Sequence, residues 1–374
     1  MKIQMTKRQI INTIYIAVII IVLFSNIWYR ELSLLLYLRP DYTFKNKTEI
    51  HFINVGQGDA VAIKFDNGQV MLIDSGTEEY CDKLCRYLDK IVLDDRNTID
   101  YLVLTHKDTD HSGNIPHLLK NYKVGVLYRP MIYSTSEDSN STNTSDWYDY
   151  IVDIARSRNI PMIFNEAGIK LIIGESLLTW LSPIGIEHNA DIDSNDFSPI
   201  IRLDYRTKSA LFTGDVGFDT EEEVIDSYEE TMLDVDILKV AHHGSAYSTS
   251  DIFLETTSPD VAVISVGYNT YGHPSNTLMQ RILEYDKLCN AKLFNNTYTT
   301  KSKGNIIVTM DDELDIKCID NIDNYSFVDY WIYSAIFILL LVVLMLKPYY
   351  SVWVKKLKFY RQNKKFEKNN SDTN

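Results

Sequence analysis

At 374 residues, 45% of them hydrophobic, the chain carries enough apolar side chains for one large domain or two ordinary ones. Its net charge of −14 is unevenly placed: residues 1–48 hold seven Lys/Arg against two acids and 347–374 hold eight against two, leaving 49–346 near −25. So acidic a body argues against a broad, sequence-independent grip on nucleic acid, which needs a basic surface.

The first element is Ile10–Trp28, nineteen residues without a charge, close to the roughly 20 that cross a bilayer. We read 1–28 as a short cytoplasmic N-terminus and a transmembrane helix, 29–48 as a linker and 49–320 as the body. Tyr330–Leu346 is a second uncharged run, of seventeen residues, and a second span is placed at 327–346. Trp28, Tyr29, Tyr330, Trp331, Tyr349 and Tyr350 fall where membrane–water interfaces would lie. The basic tail, 347–374, sets the orientation. Positive-inside reasoning puts both termini in the cytoplasm and the acidic body outside a two-pass membrane protein. The first span lacks a small-residue cleavage site and reads as an anchor, not a removed signal peptide.

Within the body, short strands are expected at Ile50–Val55, Ala60–Phe65 and Val70–Ile73, the last two joined by the Asp66-Asn67-Gly68 turn. Helical spacing follows over 78–92, then a strand at Ile99–Leu104, a short helix from Ile115 and a strand at Val124–Tyr128. Ser134–Ser145 has no apolar residue and reads as an exposed loop. A helix at Tyr148–Ser157 leads to strands around Met162, Leu171–Ile173 and Leu177–Leu181, then to a hairpin, Ile200–Tyr205 with Ala210–Thr213. The remaining elements are a helix at Phe218–Tyr228, a strand at Asp236–Val240, a helix at Asp251–Thr256, a strand at Val261–Ser265 and a helix at Asn276–Tyr285. Terminal strands are expected at Lys292–Phe294, Gly304–Val308 and Glu313–Lys317. Two strand-rich halves interleaved with helices imply an α/β protein of two packed mixed sheets with helices on the outsides. The four cysteines, Cys81, Cys85, Cys289 and Cys318, form no zinc-type pair by spacing and read as small buried thiols.

One stretch stands out: Thr105-His106-Lys107-Asp108-Thr109-Asp110-His111-Ser112-Gly113-Asn114, on the turn that leaves a buried strand. Two imidazoles and two carboxylates within six residues converge only around positive charge, and one or two divalent metal ions supply it. Other stretches also place polar residues just after an apolar strand: Asp74-Ser75-Gly76, Thr213-Gly214-Asp215, Ala241-His242-His243-Gly244-Ser245 and Gly272-His273-Pro274. Five of the eight histidines lie in these segments.

Together with Asn54-Val55-Gly56-Gln57-Gly58-Asp59-Ala60, these segments resemble the metallo-β-lactamase superfamily. More narrowly, they look like the C-terminal metallo-hydrolase domain of ComEC-type DNA-uptake proteins, over about 49–310. The resemblance implies an αββα sandwich with a metal site at one edge, here flanked by two transmembrane helices. It implies His106, Asp108, Asp110 and His111 as ligands, Asp215 as the bridging carboxylate, and His242 or His243 as the last ligand. We place His242 among the ligands; Asp110, His243 and His273 are then the catalytic candidates, orienting water, contacting a phosphate or protonating a leaving oxygen. Asp74 matches the acid that supports the metal-binding loop, while Gly56, Gly58 and Asp59 shape the turn near the metal. The family's middle histidine is missing, and Asn195-Asp196-Phe197-Ser198 occupies its region; nearby His188 reads as a surface residue. The cofactor implied is a divalent metal, one or two ions, Zn or Mn, with no organic cofactor. The activity implied is metal-dependent hydrolysis of phosphodiesters, with single-stranded or duplex DNA as substrate. The alternatives are a cell-envelope phosphodiester, a lactone or amide, or a non-hydrolytic binding or sensing module.

Overall fold

The computed structural model describes residues 47–93, 96–139, 141, 144–187 and 193–319, together with Leu357 and Phe359. The chain divides into two units, 1–321 and 322–374; in the second, Leu357 and Phe359 are described, and both are helical. The two expected spans, Ile10–Trp28 and 327–346, lie outside the described residues. Among the described residues no helix is long and apolar enough to cross a membrane.

β1 (Thr48–Phe52), β2 (Val61–Lys64) and β3 (Val70–Ile73) form an antiparallel meander. Gly68 closes its second turn by donating to the Phe65 carbonyl at 2.8 Å. α1 (Cys81–Tyr87) follows, extended by tighter and wider turns so that 78–92 is helical throughout. Then come β4 (Thr98–Val103), α2 (Thr109–Ser112), α3 (Ile115–Asn121), β5 (Lys123–Arg129), α4 (Asp146–Ser157) and β6 (Met162–Phe164). The second half runs through β7 (Lys170–Ile173), β8 (Ser176–Trp180), β9 (Ile201–Tyr205), β10 (Lys208–Phe212) and α5 (Phe218–Ser227). It continues with β11 (Ile237–Lys239), α6 (Asp251–Thr257), β12 (Val261–Ile264), α7 (Asn276–Cys289) and β13 (Thr297–Thr299). After α8 (Thr300–Lys303), β14 (Asn305–Met310) and β15 (Leu314–Ile319) return to the first sheet.

Eight strands make one sheet, ordered β15-β14-β1-β2-β3-β4-β5-β6, and seven make the other, β13-β12-β11-β10-β9-β8-β7. The first sheet has four antiparallel and three parallel pairings, and the second has three of each. Strand alternation explains the layering. In β3, Met71 and Ile73 face the inter-sheet core while Val70 and Leu72 face the helices. In β12, Val261 and Val263 point inward, and Ala262 and Ile264 meet the outer helices. Helices cover both outer faces: Leu84, Leu118, Ile151 and Val152 on the first sheet, Val224, Phe253, Leu254 and Leu278 on the second. Helix α4 shows how local signals cooperate. The Ser145 hydroxyl caps it by accepting from the Tyr148 N–H, and Tyr148, Ile151, Val152 and Ala155 form its buried stripe.

Two local expectations are corrected. Lys292–Phe294 is a turn, because the Asp286 carboxylate accepts from the Leu293 and Phe294 N–H groups and winds the chain back on α7. The edge strand lies later, at Thr297–Thr299. The polar tract after β5 is also anchored where it begins: Ser134 is buried, and Glu137 pairs with Arg129 and receives the Ser134 N–H.

Glu221 of α5 is a buried acid that organises the second half. Its carboxylate accepts from the Thr249 and Ser250 N–H groups, fixing the loop that follows His242 and His243. Burial pushes it up to about 7, against the pull of those hydrogen bonds. A folded-state value above the unfolded one means that the native protein holds this proton more tightly. Stability from this group is therefore full at low pH and is lost as pH rises toward 7. Between pH 5 and 8 the metal-free protein is expected to lose about 2 kcal/mol relative to Glu221→Gln, read by urea unfolding of both proteins. Parallel pH profiles would contradict this account of Glu221.

Candidate metal centre

The functional side chains lie on loops leaving the C-terminal ends of β3, β4, β10, β11 and β12, at one edge of the sandwich. Asp74 is fully buried and takes a left-handed backbone conformation, φ 58°, a strain seen where function fixes a residue. Its Oδ1 accepts from the Thr105 N–H at 2.8 Å, and its Oδ2 from the Thr105 hydroxyl at 2.7 Å and His111 Nδ1 at 2.7 Å. Because that hydroxyl is spent as a donor on Asp74, it accepts from His106 Nδ1, 3.0 Å away. On the opposite side, His243 Nδ1 donates to the Ser265 carbonyl at 2.9 Å. Each of the three imidazoles therefore has its Nδ1 engaged and turns Nε2 inward, where a neutral ring offers a lone pair and a charged one a proton.

Two of those nitrogens meet. His111 Nε2 and His243 Nε2 lie 3.3 Å apart, and Asp215 Oδ2 lies 3.2 Å from the first and 3.3 Å from the second. Asp110 Oδ2 stands 3.2 Å from His243 Nε2. Two facing imidazole nitrogens repel unless a cation or a proton lies between them. The buried acids state the same demand electrostatically. Burial opposes ionisation of Asp215, yet the His111 and His243 charges hold it well below the carboxylate range. Burial would likewise lower His243, but Asp215 and Asp110 drive it up to about 10. His111 is raised in the same way by Asp215 and Asp74. His106 is the exception: burial first, and then the His111 charge, lower it to about 3 and keep it neutral.

The donor set fits a divalent ion. Ligand-type atoms of Asp59, His111, Asp215 and His243 all lie within 4.8 Å of one another, and all four residues are buried. Asp215 Oδ1 and Asp59 Oδ1 have no hydrogen-bond partner. Asp59 is nevertheless drawn away from the imidazoles. Its Oδ2 pairs with the buried Lys239 ammonium, and its nearest approaches are to the Nδ1 edges, 3.6 Å from His243 and 4.0 Å from His111. His111, Asp215 and His243 therefore face one point, with Asp59 behind them on the Lys239 side and Asp110 in contact with His243. His106 Nε2 and Asp108 Oδ2, 3.8 Å apart, flank it as a second, more open position.

Of the two adjacent histidines, His243 and not the expected His242 joins the cluster with His111 and Asp215. Both residues adopt left-handed backbone, φ 48° and 52°, and this turn sends the His243 ring inward. The His242 ring lies outward, with Nε2 3.9 Å from Asp215 and its centroid 5.7 Å from that of His273. His273 lines the mouth, where burial and then the neighbouring His242 and His243 charges lower it. His188 lies outside the described residues. Where the middle histidine is missing, Ser198 enters: its hydroxyl lies 3.3 Å from His106 Nδ1 and accepts the Asp215 N–H at 3.3 Å. Sequence reading assigned no site role to Ser198 or Lys239. The signal for Lys239 was available, since it shares the inner face of β11 with the core residue Ile237. Gly58, at φ 148°, lets the preceding loop close on Asp110; a Cβ there would lie 2.3 Å from the Asp110 carbonyl oxygen.

A cleft of about 570 Å³ opens beside this cluster, lined by Asp110, Asp215 and His243 and, toward its mouth, by His242, His273 and the exposed Tyr268. The family comparison rests on the stretch from the end of β1 through the His106–His111 loop to the tract after β5. Residues 53–145 match the Metallo-beta-lactamase superfamily. The two-sheet α/β architecture agrees with that match. The chain is 28% identical over 261 residues to ComE operon protein 3 of Bacillus subtilis (strain 168), covering 66% of this chain and 32% of that protein. It is 28% identical over 275 residues to Recombination protein 2 of Haemophilus influenzae (strain ATCC 51907 / DSM 11121 / KW20 / Rd), covering 71% and 29%. It is 26% identical over 245 residues to competence protein ComA of Neisseria gonorrhoeae, covering 65% and 31%. The chain thus resembles ComEC-type competence proteins, and spans about a third of the length of these curated relatives.

Proposed function

We propose that the protein is a membrane-anchored, metal-dependent phosphodiesterase whose body acts on single-stranded or duplex DNA outside the cytoplasm. The observation that carries this reading is the convergence of His111, His243 and Asp215, with Asp110 beside His243, next to an open cleft that Asp110, Asp215 and His243 line. A divalent ion held there supplies Lewis acidity toward a phosphoryl oxygen and lowers the pKa of water toward neutrality. The chain's own groups do the rest. Asp110, 32% exposed in its side chain, accepts a hydrogen bond from the attacking water and orients it. His242 and His273 face each other at the mouth and are placed to bind a phosphoryl oxygen and protonate the leaving oxygen. Tyr268 and Tyr271, 91% and 76% exposed on the lip, offer flat faces on which bases stack. The Lys301 ammonium, 4.8 Å from the Tyr268 ring, adds positive charge beside them.

The strongly acidic body favours a second reading, an envelope phosphodiester in place of DNA. One experiment separates the two. The full chain in mild detergent, loaded with Mn or Zn, is offered bis(p-nitrophenyl) phosphate, single-stranded DNA, duplex DNA and a phosphocholine ester. Metal-dependent cleavage of DNA is expected, and Tyr268→Ala with Tyr271→Ala should raise KM for single strands about tenfold or more. The same pair should leave the small aryl ester unaffected. Cleavage of the phosphocholine ester with DNA intact would move the assignment to the envelope, and metal binding without any turnover would leave a binding module. Anchoring is tested by fractionation: release of the chain from membranes by carbonate without detergent would refute it.

A further inference from the structure

The geometry points to a second, separate metal site, for a thiophilic divalent cation of the zinc class, formed by Cys81 and Cys85 of α1 with His117 of α3. Cysteines four residues apart on a helix lie on one face, and here their sulfurs are 3.9 Å apart. Two thiolates on one tetrahedral zinc, with bonds of about 2.3 Å, stand about 3.8 Å apart. The pair therefore already has the required spacing. A ring nitrogen of His117 lies within 4.8 Å of both sulfurs. Because His117 is exposed and both cysteines are half-buried, a small ring rotation completes three ligands and leaves a fourth position to water. Glu78 and Asp82 lie close enough to Cys81 to act on it electrostatically, and their charge favours a cation there.

The site shares no residue with the Asp215 cluster. It has a mechanical consequence for that cluster all the same. α1 follows the Asp74 loop, and α3 follows the His106–His111 loop. Leu84 of α1 and Leu118 of α3 already pack into one core. An ion joining Cys81, Cys85 and His117 pins these two helices to each other, and with them the two loops that Asp74 ties together through Thr105 and His111.

Cobalt(II) titration of the reduced, metal-stripped full chain in mild detergent tests this directly. A thiolate-to-cobalt charge-transfer band is expected, because the Asp215 cluster contains no thiolate and cannot produce one. Asp215→Asn should keep that band, whereas Cys81→Ser/Cys85→Ser should lose it while retaining thiolate-free cobalt binding at Asp215. His117→Ala should require a higher cobalt concentration for the same band. Absence of the band in the wild-type chain, or its survival in the double serine variant, would overturn the proposal. A second measurement needs no variant. Zinc should protect Cys81 and Cys85 from iodoacetamide while the exposed Cys289 and Cys318 still react, and equal alkylation of all four with zinc bound would overturn it as well.

Discussion

Asp215→Asn is expected to strip the catalytic-edge metal from the protein and reduce hydrolysis to background while leaving the fold intact. The substitution keeps the shape of the side chain and removes its charge. Asp215 Oδ2 stands almost equidistant from His111 Nε2 and His243 Nε2, so it is the anion that makes the two facing imidazoles a binding site. An amide oxygen is a much poorer donor to a divalent ion. Losing several kcal/mol of charge interaction corresponds to roughly a thousandfold weaker binding. Metal content by atomic absorption, with far-ultraviolet circular dichroism as the control on folding, reads the result. Wild-type metal content in a folded Asp215→Asn protein would sink the assignment of this cluster.

The second large effect concerns stability. Lys239 is 2% exposed, pairs with Asp59, donates to the Gly214 carbonyl at 3.0 Å and lies 3.9 Å from Asp215 Oδ1. Burial alone would lower it, but Asp59 and Asp215 keep it raised and charged. Lys239→Met preserves the volume of the side chain and leaves Asp59 buried without its counter-charge. Such breaks cost about 3–5 kcal/mol, to be measured by urea unfolding in EDTA. Adding Asp59→Asn removes the stranded charge and should recover most of the loss. Divalent metal should also restore part of the stability of Lys239→Met, because the cluster then has one fewer competing cation. A Lys239→Met protein within about 1 kcal/mol of wild type would show that the pair carries no such role.

The main parts of the site were legible because its residues are local. His106, Asp108, Asp110 and His111 sit on one turn, and the apolar run before them marks the strand that delivers it. The uninterrupted apolar runs of β3 and β12 likewise marked buried strands, and two strand-rich halves interleaved with helices implied two packed sheets. The choice between His242 and His243 was not legible. Adjacent residues leave a strand in opposite directions, and only the left-handed turn at 242–243, closed by the His242 N–H donating to the Gly214 carbonyl at 3.1 Å, selects the inward ring. Ser198 beside His106 was hidden for another reason: it is 92 residues away, and nothing short-range marks that contact. The same holds for the edge strand at Thr297–Thr299, displaced from the Lys292–Phe294 apolar segment by the Asp286 carboxylate.

The His106–His111 loop therefore belongs to what the sequence by itself determined: a dense set of imidazoles and carboxylates that calls for a cation. Only the tertiary structure decided which groups meet. It turns the Nδ1 edges toward Asp74, Thr105 and Ser265, commits Asp59 to Lys239, and brings Asp215 and His243 to the lone pairs that remain. The physical reason is that coordination needs atoms within a few ångströms in space, and residues 100 or more positions apart acquire that proximity only when two sheets pack.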